Sequence, residues 1–268
     1  WRAWRNRRLR QRVDRLACLW PFEEAYFQNA GIPATYVGHP TIDRLLGKTT
    51  DIEIVTRLKE SARSVIALLP GSRCHVVGEV LPGQIEVAAA LVKHFPRTRI
   101  LIVAANVDIR NQIREFLQLH PLSNWLQRGD ISILSGPDNR AAAIQAADLA
   151  LVASGTVTLE VAYHGTPMIV MYNAGRWPYL LFARWLISTP HLSIPNILAG
   201  REIVPEFMPY YRSTAPILDQ AMAWLSDRDA LARVRKDLRE TIRPILKSGA
   251  DKNAAAQLEQ LLSTTKSK

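Results

Sequence analysis

Apolar residues in this chain gather into short runs, and between the runs they return every three or four positions. The runs at 65–69, 100–104, 131–134, 149–153 and 168–172 have the length and apolar content of buried strands. The stretches around 80–95, 107–118, 140–147 and 157–164 have helical spacing. Such alternation predicts an α/β fold, a doubly wound parallel sheet with helices on both faces and ligands at the strands' carboxyl ends. Helical patterns around 213–225, 229–246 and 250–262 follow, and no internal repeat or low-complexity stretch interrupts the chain.

Two of the strands end in turns suited to an anion. The first is Leu69-Pro70-Gly71-Ser72-Arg73. Pro70 restricts its own φ, Gly71 lets backbone N–H groups come close, Ser72 offers a hydroxyl and Arg73 a planar fork of donors. A plain surface turn is the alternative. The second is Ser154-Gly155-Thr156, between the 149–153 strand and a helical pattern. Small residues there expose free helical N–H groups that favour a phosphate. Glu160, one turn on, has the chemistry to hold a ribose diol. Alternatively, Ser154 or Thr156 caps the helix and Glu160 is a solvated first-turn acid. A third segment places Asn196 after Pro195 and before an apolar run, as a helix cap or a ligand contact, and capping is the safer choice on chemistry alone.

Composition narrows the classes. A chain of 268 residues, 48% apolar, buries a full core. Its two cysteines, Cys18 and Cys74, suit a reducing compartment and have no metal-ligand spacing. A thiol catalyst at Cys74-His75 has no partner for acyl transfer. No apolar stretch approaches the ~20 residues that cross a bilayer. The net charge of +10 draws on Arg2, Arg5, Arg7, Arg8, Arg10, Arg12 and Arg15, interleaved with Trp1 and Trp4, and on lysines of the tail. Such a run suits an anionic membrane surface. RNA and a solvated helix face are the alternatives, and no nucleic-acid recognition signature accompanies the charge. Trp177, Leu181 and Trp185 make an apolar helical face bounded by Arg176 and Arg184, for the core or for a lipid interface. His39 and His191 are structural histidines before they are catalytic ones.

Together, the two turns with Leu159-Glu160, the stretch Gly165-Thr166-Pro167-Met168-Ile169-Val170 and the segment Pro195-Asn196-Ile197-Leu198-Ala199-Gly200-Arg201-Glu202 resemble the lipid-A-disaccharide synthase family. Trp4-Arg5, Val13-Asp14, Pro21-Phe22-Glu23 and Val37-Gly38-His39 add to the likeness, which runs over about 1–205. The resemblance implies a GT-B glycosyltransferase, two Rossmann-like domains around a cleft, of which this chain is the C-terminal half. On that pattern 1–40 is the tail of the N-terminal acceptor domain with the connection, 41–205 the UDP-binding domain, and 206–268 C-terminal helices. The N-terminal domain is expected to precede Trp1, and the last helix to pack against it. The family joins UDP-2,3-diacylglucosamine to 2,3-diacylglucosamine 1-phosphate, without a metal, at the cytoplasmic face of the inner membrane. Carried over by position, Ser72 and Arg73 contact the diphosphate, with Arg73 stabilising the leaving group. Ser154, Gly155 and Thr156 line the same site, Glu160 holds the ribose and Asn196 faces the donor. The chain departs from the pattern at Val76, where the family usually has an acid. A UDP-binding module without turnover and a UDP-sugar epimerase are the competing readings.

Overall fold

The computed structural model describes residues 3–120, 130–172, 191–208 and 212–266. In chain order its principal elements are α1 (Asn6–Arg12), β1 (Leu16–Cys18), α2 (Pro21–Asn29), β2 (Ala34–Tyr36), α3 (Pro40–Leu46), α4 (Ile52–Lys59), β3 (Ser64–Leu69), α5 (Cys74–His94), β4 (Thr98–Ala104), α6 (Val107–Gln118), β5 (Ile131–Ser135), α7 (Pro137–Ala146), β6 (Leu149–Ala153), α8 (Val157–Tyr163), β7 (Met168–Met171), α9 (Ile194–Ala199), β8 (Glu206–Phe207), α10 (Ala215–Ser226), α11 (Arg228–Ile242) and α12 (Ala250–Lys266). The chain divides into two compact units, Trp1–Thr49 with Ile242–Lys268, and Thr50–Thr241.

The larger unit is a six-stranded sheet of order β5-β4-β3-β6-β7-β8, parallel throughout. Alternation along the strands feeds two apolar layers. Ile66, Leu68, Ile100, Ile102, Leu149 and Leu151 pack with α5, α6 and α10. On the other side α7 packs on β3, β4 and α4. The five anticipated strands all form, and β8 adds a sixth at the edge.

Helix α5 begins at Cys74, directly after the first glycine turn. Gly78 and Pro82 obscure this start in the sequence, since each weakens a helix interior. Burial of Val77, Val80, Leu81, Ile85 and Leu91 holds the helix through the proline. At 21 residues α5 is also long and apolar enough to cross a membrane, contrary to the expectation that no stretch is. Its apolar face is instead packed on the sheet.

In the smaller unit β1 and β2 form a parallel pair flanked by α2. The tail helix α12 finds partners within this unit. Asp43 accepts from Gly249 N (2.7 Å) and Ala250 N (2.8 Å), Asn253 donates to Val37 O (3.0 Å), and Arg15 donates to Gln257 and Gln260. The aromatic stretch around Trp177 and Trp185 lies outside the described residues.

Candidate nucleotide site

Strands β3 and β6 are neighbours in parallel register, with Leu69 opposite Val152. Both glycine turns therefore leave the sheet side by side at its carboxyl edge. The strand order runs outward in opposite directions from this pair, which makes it the topological switch point where such sheets bind ligands. Beneath the turns the wholly buried Gln84 of α5 donates to Leu151 O (2.9 Å) and Leu69 O (3.4 Å), tying the two strand ends together.

The two glycines differ in what surrounds them. Gly71 has φ +117°, and a Cβ there would lie 3.0 Å from Val76 Cγ1 and 3.8 Å from Ala153 Cβ. The first turn is thus pressed against the end of β6, and Val76, where an acid was anticipated, is part of that packing. Gly155 has φ +153°, and among the described residues a Cβ would meet nothing within 4 Å. The second turn needs glycine for its backbone.

Helix α5 starts with Arg73 as its N-cap, with no side-chain cap and no acid in the first turn. Its first N–H groups and the positive end of its dipole stay uncompensated beside the exposed Ser72 and Arg73. Thr156 likewise makes no cap bond at α8, although capping was one reading for it. The Thr158 hydroxyl instead donates to Gly155 O (2.8 Å) and fastens the turn. Ser154 is half-buried and Thr156 exposed.

Glu160 is not a solvated acid. It is 6% exposed, and its Oε1 accepts from Arg140 Nε of α7 at 3.0 Å. Burial lowers the pKa of His164, one turn further, while the charge of Glu160 opposes the shift; among the described residues its buried Nε2 has no hydrogen-bond partner. Tyr172, directly after β7, has its phenol pKa raised by burial, then by the charge of Glu79 and a hydrogen bond to it, with Arg73 opposing. Arg73 and Glu79 therefore both lie near the Tyr172 phenol.

Asn196 is neither a cap nor a free ligand contact. It lies in the first turn of α9, whose N-cap is Ser193, and it is fully buried. Its Nδ2 donates to Val204 O (2.8 Å) and Glu206 Oε1 (2.7 Å), and its Oδ1 accepts from Ile203 N (2.8 Å) and Val204 N (3.0 Å). Asn196, expected to face the donor, spends its amide on the loop between α9 and β8. Glu206 also accepts from Leu192 N, Ser193 N and Ser193 Oγ. The loop packs beside α8 through α9.

Other candidates fall elsewhere. His39 caps α3, its Nδ1 accepting from Thr41 N at 3.0 Å, with its ring 4.6 Å from that of Trp20. His191 is half-buried in the coil before α9. Burial, then Glu23 and Glu24, push the Cys18 thiol up to about 11, and Cys74 is exposed. Among the described residues no group of three or more His, Cys, Asp or Glu could hold a metal ion. Helix α1 buries no residue; Arg5 and Arg8 lie 5.4 and 6.0 Å from the ring of Trp4, which is 61% exposed.

Sequence reasoning did not find Arg140, Glu79, Tyr172, Gln84 or Glu206. Tyr172 ends the predicted strand 168–172 and Arg140 follows the predicted strand 131–134, so a search of every strand's carboxyl end would have met them. The partners of Gln84 and Glu206 are set by tertiary packing.

An open parallel sheet with two glycine turns at its switch point defines a doubly wound α/β domain of the GT-B kind. Three solved structures of this fold are similar to it, each below 20% identity. Sucrose-phosphate synthase from Thermosynechococcus elongatus has a TM-score of 0.55 at 18% identity, covering 97% of this chain and 61% of that one. Anabaena HepE in complex with UDP and glucose has 0.52 at 13%, covering 92% and 62%. The C-terminal domain of a group 1 glycosyl transferase from Francisella tularensis has 0.50 at 13%, covering 74% and 93%.

Residues 1–261 match the lipid-A-disaccharide synthetase family, and the chain belongs to it. Lipid-A-disaccharide synthases from Alcanivorax borkumensis and Neisseria meningitidis are each 32% identical, over 98% and 96% of this chain. The chain spans 66% of the length of each.

Proposed function

We propose that this chain carries the donor side of a glycosyl transfer in lipid A biosynthesis, from UDP-2,3-diacylglucosamine to 2,3-diacylglucosamine 1-phosphate. The observation behind the reading is the pairing of two phosphate-suited turns on adjacent parallel strands, within a member of this family. The unit Thr50–Thr241 binds the nucleotide. Ser72, Arg73 and the first turn of α5 meet the diphosphate from one side, and Ser154, Gly155 and Thr156 from the other. Glu160 takes the ribose, and Asn196 shapes the neighbouring loop without touching the donor.

In the reaction the bond from the anomeric carbon to the UDP oxygen breaks as the acceptor's 6-hydroxyl oxygen bonds to that carbon. The hydroxyl proton passes to a base that no residue here is assigned to be. Negative charge grows on the departing diphosphate. Arg73 and the uncapped start of α5 stabilise that charge more than they stabilise the ground state, which is where rate is gained. Losing one such donor costs about 10²-fold in kcat.

The reading extends to an anionic membrane surface at the inner face of the inner membrane. Arg5, Arg7, Arg8, Arg10 and Arg12 are exposed around Trp4, a combination suited to lipid headgroups. Binding to vesicles rich in anionic lipid, lost on replacing these arginines, supports it; equal binding to neutral vesicles contradicts it.

The donor reading is tested by thermal unfolding with UDP. Nucleotide at about 100 times its Kd adds roughly 2.7 kcal/mol of stability. Wild type is expected to show this gain and Arg73→Ala to lose most of it. An equal gain in both removes Arg73 from the site.

A further inference from the structure

The Arg140–Glu160 pair has no role in the reading above beyond its existence, yet its geometry is particular. Arg140 stands in the first turn of α7, just past the carboxyl end of β5, and reaches a residue of α8. The bond runs from Nε to Oε1 alone at 3.0 Å, so the pair is single-pronged. Among the described residues Glu160 Oε2 makes no hydrogen bond, and Arg140 is the one cation paired with this carboxylate. The Glu160 side chain is 8% exposed and that of Arg140 27% exposed.

A carboxylate buried to that degree is costly to hold in place unless a cation and hydrogen bonds compensate it. His164 does not supply that charge, because burial favours its neutral form. A diol needs acceptors, and a carboxylate oxygen is one. Bonding at Oε1 also fixes the plane of the carboxylate and so the direction in which Oε2 points.

We propose that Arg140 is a positioning residue of the nucleotide site. It holds the Glu160 carboxylate oriented so that Oε2 accepts from a ribose hydroxyl, and it thereby sets selectivity for ribo- over deoxyribonucleotides. This rests on the UDP reading of the site.

The test measures Kd for UDP and for 2′-deoxy-UDP in wild type, Arg140→Met, Arg140→Lys and Glu160→Gln, with unfolding midpoints as a check on folding. Wild type is expected to prefer UDP by roughly tenfold or more, as for one hydrogen bond to a charged acceptor. Arg140→Met and Glu160→Gln bring the ratio toward unity while 2′-deoxy-UDP affinity changes little, and Arg140→Lys, which keeps the charge, retains part of it. A merely structural arginine predicts the opposite: Arg140→Met weakens both nucleotides equally and the ratio survives. If Arg140→Met does not fold, the lysine variant decides by the same ratio, an undiminished one overturning the proposal. Wild type that binds UDP without preferring it to the deoxy form overturns the role of Arg140 and leaves the donor reading standing. Wild type that binds neither overturns both.

Discussion

Replacing Asn196 by alanine should be among the costliest single changes in the larger unit. The side chain is fully buried and serves three backbone groups, Ile203 N, Val204 N and Val204 O, as well as Glu206. Alanine leaves those three groups without a partner, and each orphaned buried group costs about 1–3 kcal/mol. Local relaxation recovers some of this by admitting water, so we expect a loss of about 3–5 kcal/mol, a large share of the ~5–15 kcal/mol that holds a typical domain. Asparagine to aspartate is the sharper probe. It keeps the acceptor for Ile203 N and Val204 N and places a carboxylate where the 2.7 Å bond to Glu206 stood. Two carboxylates at that distance share a proton, so the pKa of the pair rises on folding. The folded variant then binds more protons than the unfolded chain across the window above the ordinary carboxylate range, and its stability falls as pH rises through it. Urea denaturation of wild type and both variants at about pH 5 and about pH 8 measures this, with an unchanged m-value as the check on two-state behaviour. A loss below about 1 kcal/mol for Asn196→Ala, or an Asn196→Asp penalty that does not grow with pH, would refute the reasoning.

Three further outcomes follow from the geometry. Gly71→Ala meets Val76 at 3.0 Å as well as an unfavourable φ and should cost about 1–3 kcal/mol, whereas Gly155→Ala meets only the backbone strain; comparing their unfolding midpoints checks the order. His39 is held below its ordinary 6.5 by burial and then by Arg44, so the unfolded chain takes up its proton first as pH falls. Its contribution is complete above about pH 6.5 and is lost as pH drops through the folded value, and His39→Asn, which can still cap α3, should flatten that part of a stability profile from about pH 7.5 to about pH 5. Asp43→Ala removes two charge-assisted bonds at 2.7 and 2.8 Å from the start of α12, and hydrogen exchange should show α12 opening more readily, by about 1–3 kcal/mol.

The sheet was legible because its strands are continuous apolar runs separated by amphipathic stretches, the mark of strands buried on both faces. Both turns were legible because Gly71 and Gly155 stand at strand ends, where a glycine has backbone meaning. What stayed hidden depends on the third dimension. The helix pattern at 74–80 is broken by Gly78 and followed by Pro82, and only packing on the sheet restores it. Strand β8 has two residues, too few for any period. Asn196 follows a proline as a cap or ligand residue does, but its partners at 203–206 are brought to it by a turn of the chain that no spacing reveals. Glu160 had a solvated first-turn acid as its alternative reading, and its partner Arg140, which removes that alternative, lies 20 residues away on another helix.

The central claim is that the carboxyl edge of β3 and β6 binds a uridine diphosphate group. Calorimetric titration of this chain with UDP, with ADP as control and Arg73→Ala and Glu160→Ala as site variants, tests it most directly. The account predicts saturable binding selective for UDP and weakened by both substitutions. Absence of heat with UDP on a folded chain, or binding that neither substitution alters, would contradict it.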